Sequence, residues 1–375
     1  MNILYEIIEE GKTAQAVRIC RVFALDGAVE IPEAIHGLPV QEIGPYAFAE
    51  VQRRKTPGEK FMAVYGGESD GRAGEALADG VGRGKRDEGA LAVGIEFGED
   101  DEELPPVCGG RLTALWLPSS LRKIGAYAFY GCEKLERVSI FSTATDLGAG
   151  LFTGCYGIRQ LDVRIISGEK SCLKEMLAEL RQTLSLDYRG PDGGLLARLI
   201  FPEFFEESVE NTPARILMRE MHGCGHMYRN AFVGTDFQFL VYDRLFPYVQ
   251  VEEKPRLVTE LAINRLRFPC QLSQNAREVY AAYLEKHGRE IIQTAAENQD
   301  TELVSFAAAQ EWCGEGCMED MLSQAAEKGM AQFTGILMDA RYERRKRERG
   351  GQRPEPTRQA QTASGAVRRK RRFEL

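Results

Sequence analysis

No stretch of the 375-residue chain approaches the ~18 unbroken apolar residues that a membrane-spanning helix requires. The start, Met1-Asn2-Ile3-Leu4-Tyr5-Glu6, has neither the basic region nor the apolar segment of an export signal. No Asn-x-Ser/Thr acceptor site occurs, and the nine cysteines, an odd number, are scattered at 20, 108, 132, 155, 172, 224, 270, 313 and 317. These absences argue against a secreted, disulfide-stapled protein and point to a reducing, cytoplasmic interior. What is present is ordinary for a folded chain: 43% hydrophobic, 9% aromatic and 28% charged residues. The length predicts two or three packed units.

The net charge of −8 hides an asymmetry. Arg341 to Leu375 holds 13 Lys or Arg against 4 Glu, which leaves −17 for residues 1–340. The runs Arg344-Arg345-Lys346-Arg347 and Arg368-Arg369-Lys370-Arg371-Arg372, separated by glycines and prolines, predict a disordered basic tail over 341–375. Such a tail is a handle for nucleic acid or another anionic surface through counterion release, or a solvated segment that screens its own acidic body. Only Phe373 offers a base a stacking partner, which favours the second reading.

Residues 50–107 are rich in glycine and close on an acidic run, the composition of a long flexible insertion. A weak strand, Phe61 to Tyr65, lies inside it. Gly67-Glu68-Ser69-Asp70-Gly71 spells a nucleophile elbow but lacks the alternation of strands and helices that such a turn needs. Gly80-Val81-Gly82-Arg83-Gly84-Lys85 is one residue short of a phosphate loop and has Arg86 where Ser or Thr should hold magnesium. No cofactor is expected from either.

The informative feature is a repeat of 23 residues. Gly125, Phe129, Gly131, Cys132, Leu135, Val138 and Ile140 recur as Gly148, Phe152, Gly154, Cys155, Ile158, Leu161 and Val163, and Leu112, Leu115 and Leu117 precede them by the same interval. Val29-Glu30-Ile31-Pro32 and Ile43-Gly44-Pro45-Tyr46-Ala47-Phe48 make an earlier, lengthened unit. One short strand with its return turn cannot bury its own apolar face, so successive coils must stack. The pattern predicts neighbouring rungs at Leu115, Val138 and Leu161, a column of Phe48, Phe129 and Phe152, and buried thiols at Cys132 and Cys155. Alternate residues face outward. Two ladders result, Glu30, Trp116, Ser139 and Asp162 beside Ala28, Ala114, Arg137 and Gln160. Glu30, Trp116, Ser139, Asp162, Arg137 and Gln160 are the candidate binding residues of a concave sheet face, against the plainer reading of a solvent face.

The wording Leu117-Pro118-Ser119-Ser120-Leu121-Arg122-Lys123-Ile124-Gly125-Ala126-Tyr127-Ala128-Phe129-Tyr130-Gly131-Cys132 resembles the BspA-like leucine-rich repeat family, over residues ~25 to 165 outside the insertion. Members are commonly microbial surface or adhesion proteins that bind other proteins through the coil faces, so the resemblance implies an interaction module. Few coils, a long insertion and no export signal depart from the adhesin pattern. The repeat carries no catalytic residues to transfer.

From Ser171 the pattern changes. Cys172 to Leu184 reads as an amphipathic helix, and Leu184–Tyr188 and Ala197–Phe201 flank a Gly-Pro-Asp-Gly-Gly turn, a hairpin suited to cap the open end of the coils. Beyond Pro213 the spacing predicts helices over 214–222, 236–249, 253–267, 273–287, 289–297, 301–312, 317–328 and 330–346. Thr294-Ala295-Ala296-Glu297 recurs thirty residues on as Gln324-Ala325-Ala326-Glu327, which resembles paired ankyrin-like helices without their Thr-Pro-Leu-His signature. His222, Cys224 and His226 are weak candidates for zinc, since a fourth ligand is missing and the glycines between them mark a helix end. Cys313 and Cys317 read as packing thiols, and the acids of Pro202–Glu207 as a helix start.

The expected fold class is therefore mixed α and β, a short leucine-rich repeat solenoid followed by an α-helical repeat domain. The expected units are 1–168 with the insertion 50–107, a capping helix and hairpin 169–212, helices 213–340 and the tail 341–375. The expected function is a non-enzymatic protein-protein interaction scaffold. The alternatives are a metal-dependent hydrolase at His222, Cys224 and His226, and a nucleic-acid-associated protein acting through residues 341–375.

Overall fold

The computed structural model describes residues 1–10, 14–51, 62–64, 104–166, 171–211 and 216–350. A hairpin of β1 (Asn2–Glu10) and β2 (Ala14–Phe23) is followed by β3 (Ala28–Glu30), β4 (Ala34–Ile35), β5 (Leu38–Ile43) and β6 (Met62–Val64). After the insertion come β7 (Ala114–Trp116), β8 (Lys123–Ile124), β9 (Arg137–Phe141), β10 (Asp146–Leu147) and β11 (Gln160–Arg164). Each coil gives one strand to either of two walls. β3, β7, β9 and β11 run parallel along one, and β2, β5, β8 and β10 run parallel along the other. Val29, Leu115, Val138 and Leu161 occupy successive rungs, as the 23-residue period requires.

The core lies between the walls. Phe48, Phe129 and Phe152 are buried and form a continuous column, with ring centroids 5.5 and 5.6 Å apart. The Cys132 and Cys155 thiols are buried and donate to the carbonyls of Phe48 and Phe129, 3.3 and 3.0 Å away, so each ties its turn to the coil before it. The repeated glycines have separate causes. A Cβ on Gly125 or Gly148 would lie within 2.4 or 2.2 Å of the neighbouring coil's backbone, and Gly131 and Gly154 hold φ of 74° and 83°.

Both ends of the turn column are closed by side chains. Along it, N–H groups of one coil donate to carbonyls of the next, as from Phe48 to Ala128 and from Phe129 to Leu151. The first coil therefore leaves carbonyls unpaired and the last leaves N–H groups. Arg21 donates to the carbonyls of Ala47 and Ala49, at 3.3 and 2.5 Å. At the far end the Phe152 N–H donates to Glu179 at 2.9 Å, and Gln182 donates to the Cys155 and Ile158 carbonyls.

Glu179 belongs to α1 (Leu173–Glu179), which leads into β12 (Leu184–Arg189) and β13 (Leu195–Phe201). β12 pairs parallel with β11 and so adds another rung, with Leu186 beside Leu161, while β13 turns back antiparallel as the last strand.

Several expectations need correction. Residues 216–222 are a strand and not a helix: β14 (Phe205–Asn211) and β15 (Ile216–His222) form a two-stranded antiparallel ribbon. The acids expected at a helix start, Glu206 and Glu207, thus sit on a strand, where cross-strand pairing replaces capping. After α2 (Gly225–Arg229) comes a small hairpin, β16 (Phe232–Val233) and β17 (Asp236–Phe237). The helix expected over 236–249 is broken at Leu245 into α3 (Phe239–Arg244) and α4 (Phe246–Glu252), with Pro247 in the first turn of α4. Within the insertion, Met62–Val64 of the expected strand forms β6, paired with β1, and Val107 is buried with its N–H on the Val22 carbonyl. The motifs at 67–71 and 80–85 lie outside the described residues.

Six helices complete the fold: α5 (Pro255–Arg267), α6 (Gln274–Leu284), α7 (Gly288–Asn298), α8 (Thr301–Ala309), α9 (Glu315–Glu327) and α10 (Ala331–Gly350). α5 packs on α7, α7 on α9 and α8 on α10, so helical pairs stack at the thirty-residue interval. Gln299 and Gly329, thirty apart, both end their helices with positive φ, and Asp300 and Met330 return N–H bonds to Ala295 and Ala325. α10 also overruns the expected start of the disordered tail. The Arg344 guanidinium donates to the carbonyls of Ala308, Gln310 and Cys313, and Arg341 pairs with Glu315 and Glu319. Residues 351–375 lie outside the described residues.

Candidate interaction face and cleft

The outward residues of the parallel wall stand in the two rows expected of them. One row runs Glu30, Trp116, Ser139, Asp162 and then Asp187, and the other Ala28, Ala114, Arg137, Gln160 and then Ser185. Glu30 and Arg137 are exposed, whereas Trp116, Ser139, Gln160 and Asp162 are half-buried. The tryptophan is thus less open than an unpartnered face predicts. Arg137 donates to the Gln160 amide at 2.6 Å, linking two rungs.

Toward the last rungs the rows become ionic. Arg189 donates to Asp162 at 2.7 Å, and Asp187, itself buried, accepts two bonds from Arg198 on β13 at 2.5 and 2.8 Å. Two parallel charge-assisted bonds of this kind fix orientation as well as energy, and the Arg198 guanidinium is raised in pKa chiefly by its bond to Asp187. Arg198 also lies over the Phe268 ring, which Arg267 approaches in turn, and Arg267 pairs with Asp300 and Glu302. A chain of contacts therefore runs from the sheet into the helices.

Where the rows reach the helices there is a cleft of about 470 Å³. Arg137, Arg159, Gln160, Ser185, Arg198 and Ile200 line its sheet side, and Arg256, Glu260 and Asn264 of α5 with Thr294 and Glu297 of α7 line the other. Burial pushes the Glu260 carboxyl above its ordinary range, reinforced by Glu297 and opposed by Arg256 and Arg198. α5 packs against β13, and Tyr242 of α3 fastens the same strand: its buried hydroxyl donates to the Ile200 carbonyl at 2.7 Å and accepts from the Ile200 N–H at 3.0 Å. Behind it, the fully buried Arg265 donates twice to Asp243, which also accepts from Tyr280 at 2.8 Å.

Apart from Arg137 and Gln160, the residues of the cleft wall were not among the sequence candidates. One signal was available: Leu184-Ser185-Leu186-Asp187 repeats the strand spacing of Leu161 at an interval lengthened to 25 residues, so Ser185 and Asp187 extend the two ladders. Glu260, Asn264 and Thr294 left no such signal, because polar residues on a helix read as solvent-facing until the neighbouring sheet is in place.

The proposed metal ligands are held apart by local demands. His222 stacks on Phe205, centroids 4.6 Å apart, with Nε2 3.3 Å from the Glu207 carboxylate. Cys224 is buried at the start of α2, and burial pushes its thiol up to about 12. His226 Nδ1 lies 2.9 Å from the Gly223 carbonyl. Among the described residues no group of three or more His, Cys, Asp or Glu is placed to hold a metal ion. No helix of the described residues is long and apolar enough to cross a membrane. Cys313 and Cys317 are buried together, and a hydrogen bond from Cys317, aided by Arg344, holds the Cys313 thiol below its usual range.

No curated protein and no solved structure matches the chain. Residues 108–180, the rungs that carry Trp116, Arg137, Ser139, Gln160 and Asp162, match the family model of the BspA type leucine rich repeat region.

Proposed function

We propose that the protein is a non-enzymatic scaffold that binds a protein partner through the outward face of its parallel wall and the adjoining cleft. The observation that carries this reading is the pair of in-register polar rows, Glu30 to Asp187 and Arg137 to Ser185, on coils of a repeat family whose fold is generally a scaffold. Side chains one rung apart sit about 4.8 Å from one another, so the face displays a fixed grid of charge, amide, hydroxyl and indole. Stacked coils hold such a grid without the ordering cost a loop would incur on binding. The helical pairs bound the grid at one end and supply the second wall of the cleft.

The test is affinity capture from cells of origin with the intact chain and with Trp116→Ala/Ser139→Arg, a variant that alters the grid without touching the core. A captured protein that is lost with the variant, while the melting temperature is kept, supports the reading. An identical captured set from both proteins would move recognition off this face.

A further inference from the structure

The cleft gathers polar groups that find few partners within the chain. Arg137 meets only the neutral amide of Gln160, and neither Arg137 nor Arg159 meets a carboxylate among the described residues. Across the cleft Thr294 is 4% exposed, and its hydroxyl has no hydrogen-bond partner among the described residues. The Asn264 side-chain amide makes no hydrogen bond among the described residues either, although, unlike the Thr294 hydroxyl, it keeps some contact with solvent. Buried groups left unpaired are costly, and they persist where something else satisfies them.

The charges around the cleft are not equivalent. Arg198 is bound to Asp187, Arg256 pairs with Glu297, and Asp300 pairs with Arg267. Among the described residues, two arginines on the sheet side therefore remain for a ligand, and Glu260 on the helical side is a carboxylate of the lining without an ion pair. Arg159 precedes Gln160, the rung partner of Arg137, so the two guanidinium groups rise from adjacent coils. Adjacent coils are about 4.8 Å apart, a span one carboxylate can bridge. In a body of −17 this is a local exception, which favours an anionic group here and disfavours it on the rest of the surface.

We propose that the cleft receives an acidic side chain from an extended segment of the partner. Its carboxylate accepts from Arg137 and Arg159, and its main chain meets Asn264, Thr294 and Glu260, with Glu260 accepting a backbone N–H. This inference rests on the scaffold reading and names the chemistry of the partner.

The experiment uses the full chain and a positional-scanning library of N-acetylated, C-amidated hexapeptides, one position fixed in each pool, read by fluorescence polarisation. Pools with Asp or Glu fixed at one position are expected to bind about tenfold tighter than pools with Gln or Lys there, the range of one charge-assisted contact. Arg137→Ala/Arg159→Ala, whose residues are exposed and outside the core, is expected to reduce that preference to within about twofold at unchanged melting temperature. Thr294→Val is expected to weaken all pools alike. A preference for Lys or Arg, no preference, or no binding would overturn the proposal. So would a preference confined to pools remade with a free C-terminus, since the anion would then be an α-carboxylate. Loss of capture by Trp116→Ala/Ser139→Arg alongside any of these results leaves the scaffold reading standing while this inference falls. Unchanged capture by that variant removes the scaffold reading itself.

Discussion

Replacing Phe129 by Ala tests the stacking that holds the recognition rows in register. The ring is fully buried and touches an aromatic neighbour on each side, Phe48 at 5.5 Å and Phe152 at 5.6 Å. Removing a phenyl group from such a site costs ~3–5 kcal/mol from lost transfer energy and the cavity left behind. That is a large share of the ~5–15 kcal/mol that stabilises a typical domain. The assay is urea unfolding followed by far-ultraviolet circular dichroism. Phe129→Leu, which keeps most of the volume, is expected to cost about 1–2 kcal/mol and serves if the alanine variant does not fold. A double-mutant cycle sharpens the test. Phe129 and Phe152 should couple by ~0.5–1.5 kcal/mol, as stacked rings do, whereas Phe48 and Phe152, on opposite sides of Phe129, should be additive within ~0.5 kcal/mol. A loss below ~1 kcal/mol for Phe129→Ala, or equal coupling in both pairs, would refute the column.

Three further outcomes follow from named contacts. Tyr242→Phe leaves the Ile200 N–H and carbonyl without their buried partner, so it should cost ~1–3 kcal/mol and speed hydrogen exchange at the Ile200 amide; unchanged exchange would count against the clamp between β13 and the helices. Arg344→Ala removes a guanidinium that donates to three carbonyls, with an expected loss of about 2 kcal/mol and faster exchange along α10; an unaltered melting curve would mean the helix end is not docked. Glu260 holds its proton to a higher pH in the folded chain than its ordinary 4.5, so its contribution to stability falls as pH rises from 4.5 through the folded value. Glu260→Gln should therefore be the more stable protein at neutral pH, with the gap closing below about pH 4.5; a gap constant with pH would contradict the assignment.

The solenoid was legible because its period is written in large apolar residues, and a core of stacked coils allows few alternatives once Leu115, Val138 and Leu161 share an interval. The outward rows followed from strand alternation alone. Residues 216–222 were misread because apolar and charged residues there fit a helical spacing, while the ribbon partner that decides the matter, Phe205–Asn211, is identified only by the fold. Arg344 was read as part of a charge run because composition cannot show that its head reaches three carbonyls of a neighbouring helix end. The cleft was illegible for the same reason. Its sheet side comes from the repeat, but Glu260, Asn264 and Thr294 acquire meaning only when α5 and α7 are laid beside β12 and β13.

Site-specific photo-crosslinking tests the interaction face most directly. A photoreactive residue is placed singly at Trp116, Ser139 or Gln160 on the sheet rows, and at Glu133 or Tyr156, exposed on the turns of the same coils. Irradiation in cells of origin is predicted to give one shared adduct from the three sheet positions and none from the two turn positions. Adducts from Glu133 or Tyr156, with none from the sheet, would contradict it.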